Sequence, residues 1–143
     1  VMKVGRVPHV AYHRPGDPAA ADRVALTIAR HAAQGRLLYG HCRACGQAHY
    51  YPRRNCPHCF SADVDWAEAG GRGRIYSYTV VGTPSDRQVL AFIALDEGVL
   101  MLSNIVDSAP GRLAIDAPVR VAFGRAGDVR VPVFVLDDTQ AAT

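Results

Sequence analysis

The chain has 143 residues, of which 49% are hydrophobic, and a formal net charge of +3. That composition supports a packed core and excludes a disordered chain, the length suits one compact unit or two small modules, and no run approaches the roughly 20 apolar residues of a membrane helix. The charge is uneven: residues 1–60 carry nine basic and two acidic side chains and all six histidines, whereas residues 61–143 carry seven basic and eleven acidic ones and no lysine.

Residues 1–16 contain Pro8, Pro15 and Gly16, show no period and read as an extended arm. They contain no secretory apolar region, so a cytoplasmic protein is expected. A helix follows over Pro18–Gln34. Asp17 is a good N-cap, Pro18 fits the first helical position, and Gly35 is a natural stop. Val24, Ile28 and Ala32 fall on one stripe, with Ala21, Ala25 and Leu26 beside it. The stripe is narrow. It can lie on the surface of another protein or pack against the chain's own ribbon. Residues 1–35 are thus an arm and a helix, followed by a ribbon over 36–68, a barrel over 69–137 and a tail over 138–143.

Residues 36–41 read as a strand leading into CRACGQAHYYPRRNCPHCFS, which runs from Cys42 to Ser61. Cys42 and Cys45 make one Cys-x-x-Cys pair, and Cys56 and Cys59 make another. Two such turns aim four sulfurs at one point and read as a structural zinc site. The alternatives are two disulfides, free thiols, or a set in which His41, His49 or His58 replaces one cysteine. A four-sulfur site is closed, so it supports folding and does not catalyse. It also uses every cysteine in the chain, so no thiol remains as a nucleophile. Residues 49–52 read as the return strand, and 64–67 as a short strand carrying Trp66. A ribbon this small has little core, so metal must carry much of its folding energy.

Residues 68–74, EAGGRGR, read as a hinge between the modules. Beyond it the pattern becomes β. Strands are expected over 75–81, 89–95, 99–106, 119–124 and 129–136. Asp96, Glu97 and Gly98 form a tight turn, and a helical turn is expected near Leu113. Five strands with a longer link between the third and fourth fit an OB-fold barrel, whose second and third strands are the usual ligand face. Pro132 demotes the last strand to an edge or bulge position. The fold class is mostly β: an N-terminal helix, a four-cysteine zinc ribbon and a five-stranded OB-fold barrel.

With this order of parts, the chain resembles the acyl-CoA-associated family with a rubredoxin-like zinc ribbon and an OB-fold. The matching stretches are CRACG, YPRRNCPHC, GRGRIYSYTVV, LAFIALDEGVLMLSNI and VPVFVL, and they fall within about residues 19–136. The cysteine spacing is shared with many ribbons. The ribbon followed by the Gly-x-Gly stretch, the Tyr-Thr strand and the Leu-Asp-Glu-Gly hairpin is far more specific. The resemblance implies a non-catalytic partner of a thiolase-like enzyme acting on acyl-CoA thioesters. Catalysis would then sit in the partner, and this chain would bridge to it and help complete its CoA site.

Three function classes follow. As an accessory subunit, the chain would use Arg43, Arg53 and Arg54 near the knuckles toward CoA phosphates or the partner, and Val24 and Ile28 toward the partner. Solvation or pairing within the fold is the other fate of those arginines. As a nucleic-acid binder, it would stack bases on Tyr76, Tyr78 and Phe92, but its barrel half has more acidic than basic residues. As an enzyme, it would need Asp96 and Glu97, which turn chemistry already explains.

Overall fold

The architecture follows from two changes of pattern along the chain, seen in a computed structural model that describes residues 23–53, 55–126 and 129–137. The expected arm, the N-cap at Asp17 and Pro18, the turn at Gly127 and Asp128, Arg54 and the tail lie outside the described residues, as do the side chains of residues 23–27. Helix α1 spans Arg23–Ala33. It ends where expected: the Gly35 N–H donates to the Ala32 carbonyl and the Arg36 N–H to the His31 carbonyl, a return that closes the last turn.

Strands β1 (Leu37–Cys42), β2 (Ala48–His49) and β3 (Val64–Ala69) form an antiparallel sheet in the order β2-β1-β3. The return strand is shorter than its composition suggests. Strands β4 (Arg72–Thr83), β5 (Asp86–Leu95), β6 (Leu100–Ile105), β7 (Pro118–Ala126) and β8 (Val129–Leu136) close into a barrel in the order β4-β5-β6-β8-β7. One seam, β6 with β8, is parallel. This is the five-stranded OB-fold topology. A single 3₁₀ turn over Pro110–Arg112 occupies the link before β7.

Alternation explains which side chains meet inside. On β5, Val89, Ala91, Ile93 and Leu95 point inward; Ile75, Met101, Ile105, Val119 and Phe134 complete the interior. Leu37 and Ala69 of the ribbon belong to the same core, and Tyr39, Ala48 and Tyr50 pack against it. The ribbon therefore does not stand on zinc alone: one of its faces continues the barrel's interior.

One expectation, the edge position of Pro132, is corrected, and two are sharpened. The apolar stripe of α1 has an owner in its own chain. The helix packs on β8 and β1, and Ile28 is 5% exposed and Ala32 2% exposed. That cover explains why Val131, Pro132, Val133, Phe134 and Val135 are all buried, although a strand with one solvated face would alternate.

Pro132 does not mark an edge. It pairs with Phe123 inside the closed barrel. The Phe134 carbonyl accepts from the Val106 N–H, and the Leu136 N–H donates to Ser108 Oγ. Residues 132, 134 and 136 thus turn their backbone toward β6 and the residues just after it, where the parallel ladder is only Ile105 with Phe134. An N–H at Pro132 is dispensable there, and its carbonyl accepts from Ser103 Oγ at 3.0 Å.

The Gly-rich stretch, finally, is clamped. The Gly70 N–H donates to a Glu97 carboxylate oxygen at 2.9 Å, the Val121 N–H to the Gly71 carbonyl at 2.7 Å, and the Asp96 N–H to the Arg72 carbonyl at 3.0 Å. Gly71 has φ +84°, and a Cβ there would run into Val121. Its glycines serve close approach rather than swivelling.

Candidate metal centre and its surroundings

Strand β1 delivers Cys42 to the end of the central strand of the ribbon sheet, and the turn after it carries Cys45. The loop between β2 and β3 carries Cys56 and Cys59. The four Sγ atoms all lie within 4.8 Å of one another. Cys42 and Cys59 are 3.6 Å apart, and Cys45 and Cys56 are 3.7 Å apart. Zn–S bonds of about 2.3 Å in a tetrahedron place sulfurs about 3.8 Å apart, so the cradle fits Zn²⁺. These contacts are far longer than an S–S bond of about 2.05 Å, which removes the disulfide alternative. No histidine joins the cluster among the described residues.

The electrostatics of the bare sulfurs agree. Burial pushes the Cys56 thiol up, but the backbone N–H groups of Cys59 and His58, with Cys45 and the Cys59 side chain, bring it down to about 6. The Ser61 backbone N–H favours the Cys59 thiolate, yet burial and the three neighbouring sulfurs push that thiol up to about 12. Four sulfurs this close cannot all ionise unless a cation sits among them. Zinc supplies that charge and holds the two knuckles together. With four protein ligands it leaves no position for substrate.

The arginines near the knuckles have different fates. The Arg43 guanidinium bonds Asp63 at 2.8 Å and lies 3.3 Å from Asp65. Of the two fates open to it, pairing within the fold is the one this structure displays, on a side chain that stays largely exposed. Arg53 is exposed and has no ion pair among the described residues. Arg54 lies outside the described residues, as does the side chain of Val24. Ile28 is buried in its own chain and offers no free surface.

On the barrel, Tyr76 is the extra residue of a β-bulge, next to the Ser77–Phe92 pair. Tyr76, Phe92 and Leu100 are exposed. The Tyr78 hydroxyl donates to the Leu113 carbonyl at 3.3 Å. The Arg74 guanidinium donates to the Asp116 carbonyl at 2.9 Å. Glu97, through its bond to Gly70, holds the Gly-rich stretch in place; that is a structural role.

Residues 29–65 match the ChsH2 rubredoxin-like zinc ribbon domain, and residues 66–124 match the ChsH2 C-terminal OB-fold domain. A "DUF35 domain-containing scaffold protein" of Methanothermobacter thermautotrophicus is 34% identical over 102 residues, which cover 66% of this chain and 77% of that protein. The chain belongs to the ChsH2 (DUF35) family. A "Probable enoyl-CoA hydratase alpha subunit" of Thermomonospora curvata is 37% identical over 109 residues, 72% of this chain. The ChsH2-family chain spans only 34% of that relative. Among solved structures, one described as "Ltp2-ChsH2(DUF35) aldolase" superposes with a TM-score of 0.69 at 33% identity, covering 86% of this chain and 98% of the other.

Two features of this ChsH2-family ribbon escaped the sequence. His49 is 5% exposed, and neither ring nitrogen has a hydrogen-bond partner among the described residues. It pairs across the sheet with Gly40, where a Cβ would collide with the imidazole. Phe60 is 79% exposed at φ +64°. Setting the two knuckles side by side reveals it: Gly46 follows the first and Phe60 the second.

Proposed function

We propose that this chain is a non-catalytic accessory subunit of a thiolase-like enzyme acting on acyl-CoA thioesters. The reactions in view are ketoacyl-CoA or aldol-type carbon–carbon cleavage, condensation and acyl transfer. The observation that carries the reading is the likeness, over nearly its whole length, to the ChsH2(DUF35) chain of an Ltp2-ChsH2(DUF35) aldolase. A relative named as a scaffold protein and another named as a subunit support it. A closed four-sulfur zinc site is consistent with support rather than turnover. Catalysis then belongs to the partner, one copy of this chain serves each enzyme subunit, and Arg53 and Arg54 are the cations offered to the partner or to CoA.

The test is co-expression with a thiolase-like protein encoded beside it, followed by size-exclusion chromatography and an acyl-CoA assay with and without this chain. Co-elution and a loss of activity in its absence are expected. Separate elution at micromolar concentration, with the enzyme equally active alone, refutes the reading. The exposed Tyr76 and Phe92 give a nucleic-acid role its one foothold. Arg74, two residues before Tyr76 on the same strand, is engaged with the Asp116 carbonyl, and the barrel half has more acidic than basic residues, so titration with single-stranded DNA is expected to show no salt-dependent binding.

A further inference from the structure

The two zinc knuckles are built alike, and one residue breaks the likeness. After Cys45 the chain turns through Gly46 at φ +76°, whose N–H donates to the Cys42 carbonyl at 2.9 Å. After Cys59 it turns through Phe60 at φ +64°, whose N–H donates to the Cys56 carbonyl at 2.9 Å. The turn demands the left-handed region, which glycine enters freely and a bulky side chain enters under strain. Open space surrounds the place where a Cβ on Gly46 would stand. The knuckle thus has no need of a side chain there. Phe60 returns little to its own fold, since it is 79% exposed. The Asn55 side chain donates to the Phe60 carbonyl at 3.2 Å, which holds the backbone and not the ring. A strained backbone that presents an aromatic ring to solvent is the arrangement of a binding anchor.

The charge on the same loop between β2 and β3 indicates the other side. The ribbon's carboxylates are taken: Asp63 and Asp65 by Arg43, and Glu68 by Arg36. Arg53 and His58 are exposed, and both lie close enough to His49 to act on it electrostatically. Arg53 has no acidic partner among the described residues.

We propose that Phe60 is the anchor by which the zinc ribbon docks on the partner subunit, its ring entering an apolar pocket whose rim offers carboxylates to Arg53 and His58. This rests on the accessory-subunit reading and locates the contact within it. Wild type, Phe60→Gly, Phe60→Tyr and Arg53→Glu are titrated against the thiolase-like protein, with zinc content and melting temperature measured in parallel. Phe60→Gly is expected to keep its zinc and melt about 2–5 °C higher as the turn relaxes. It is also expected to bind about tenfold more weakly, or worse. Phe60→Tyr is expected to bind like wild type, and Arg53→Glu to associate more slowly with a weaker salt dependence. Equal affinity of Phe60→Gly and wild type overturns the anchor and leaves the accessory role standing. Failure of wild type to bind overturns both. Weaker binding with lost zinc or a lower melting temperature makes Phe60 structural and overturns the anchor. So does a Phe60-dependent dimer of the chain alone, or Phe60-dependent binding of single-stranded DNA.

Discussion

His49 is a buried imidazole with no hydrogen-bond partner among the described residues, and it is expected to make the ribbon sensitive to acid. Burial pushes its pKa down from the usual 6.5, and His58, Arg53 and His41 push in the same direction. The unfolded chain therefore takes this proton first. The sign follows: stability is full above about pH 6.5 and falls as the pH drops below it, until the folded form is protonated too. Denaturant midpoints measured from pH 8 to pH 5 are expected to decline, and less steeply in His49→Phe. An unchanged slope in that variant would assign the acid sensitivity to the zinc thiolates instead. The same ring explains Gly40, since Gly40→Ala sets a methyl against the imidazole. That variant is expected to lose about 1–3 kcal/mol of stability by overpacking, read from chemical denaturation. Neither effect could be read along the chain, because His49 and Gly40 meet only through a register between strands.

At the scale of elements, what was legible was whatever local chemistry decides. Cys-x-x-Cys spacing identified the knuckles, alternation identified the barrel strands, and Gly35 stopped the helix. What escaped was the choice of neighbour. The stripe through Ile28 shows that α1 must lie on something apolar, and nothing in its period says that the surface is β8. This packing decides what a charge there does. Ile28→Glu buries an unpaired carboxylate between α1 and the chain's own strands. It is expected to destabilise the isolated protein by on the order of 3 kcal/mol, seen as a lower melting temperature with no partner present. A variant that melts like wild type alone and loses only its partner would restore the earlier placement of Ile28. For the ribbon, Cys56→Ser is expected to release the zinc, measured by elemental analysis. Because Leu37 and Ala69 sit in the barrel's core, near-ultraviolet signals from the barrel are expected to weaken as well.

Across the whole molecule, ribbon and barrel are two recognisable modules with one interior, and the join between them has a mechanical meaning. The backbone from Gly70 to Arg72 is held by Glu97, Val121 and Asp96, so the second knuckle and the outer face of β4 and β5 keep a fixed separation and orientation. A partner that met both the second knuckle and that barrel face would be held as a metal is held by a chelating ligand. Once the first contact forms, the second is already in place and adds its attraction without a further loss of orientational freedom. A run of glycine and serine inserted after Ala69 would leave each contact chemically unchanged. It would still let one end detach without the other, turning a single slow release into two fast ones.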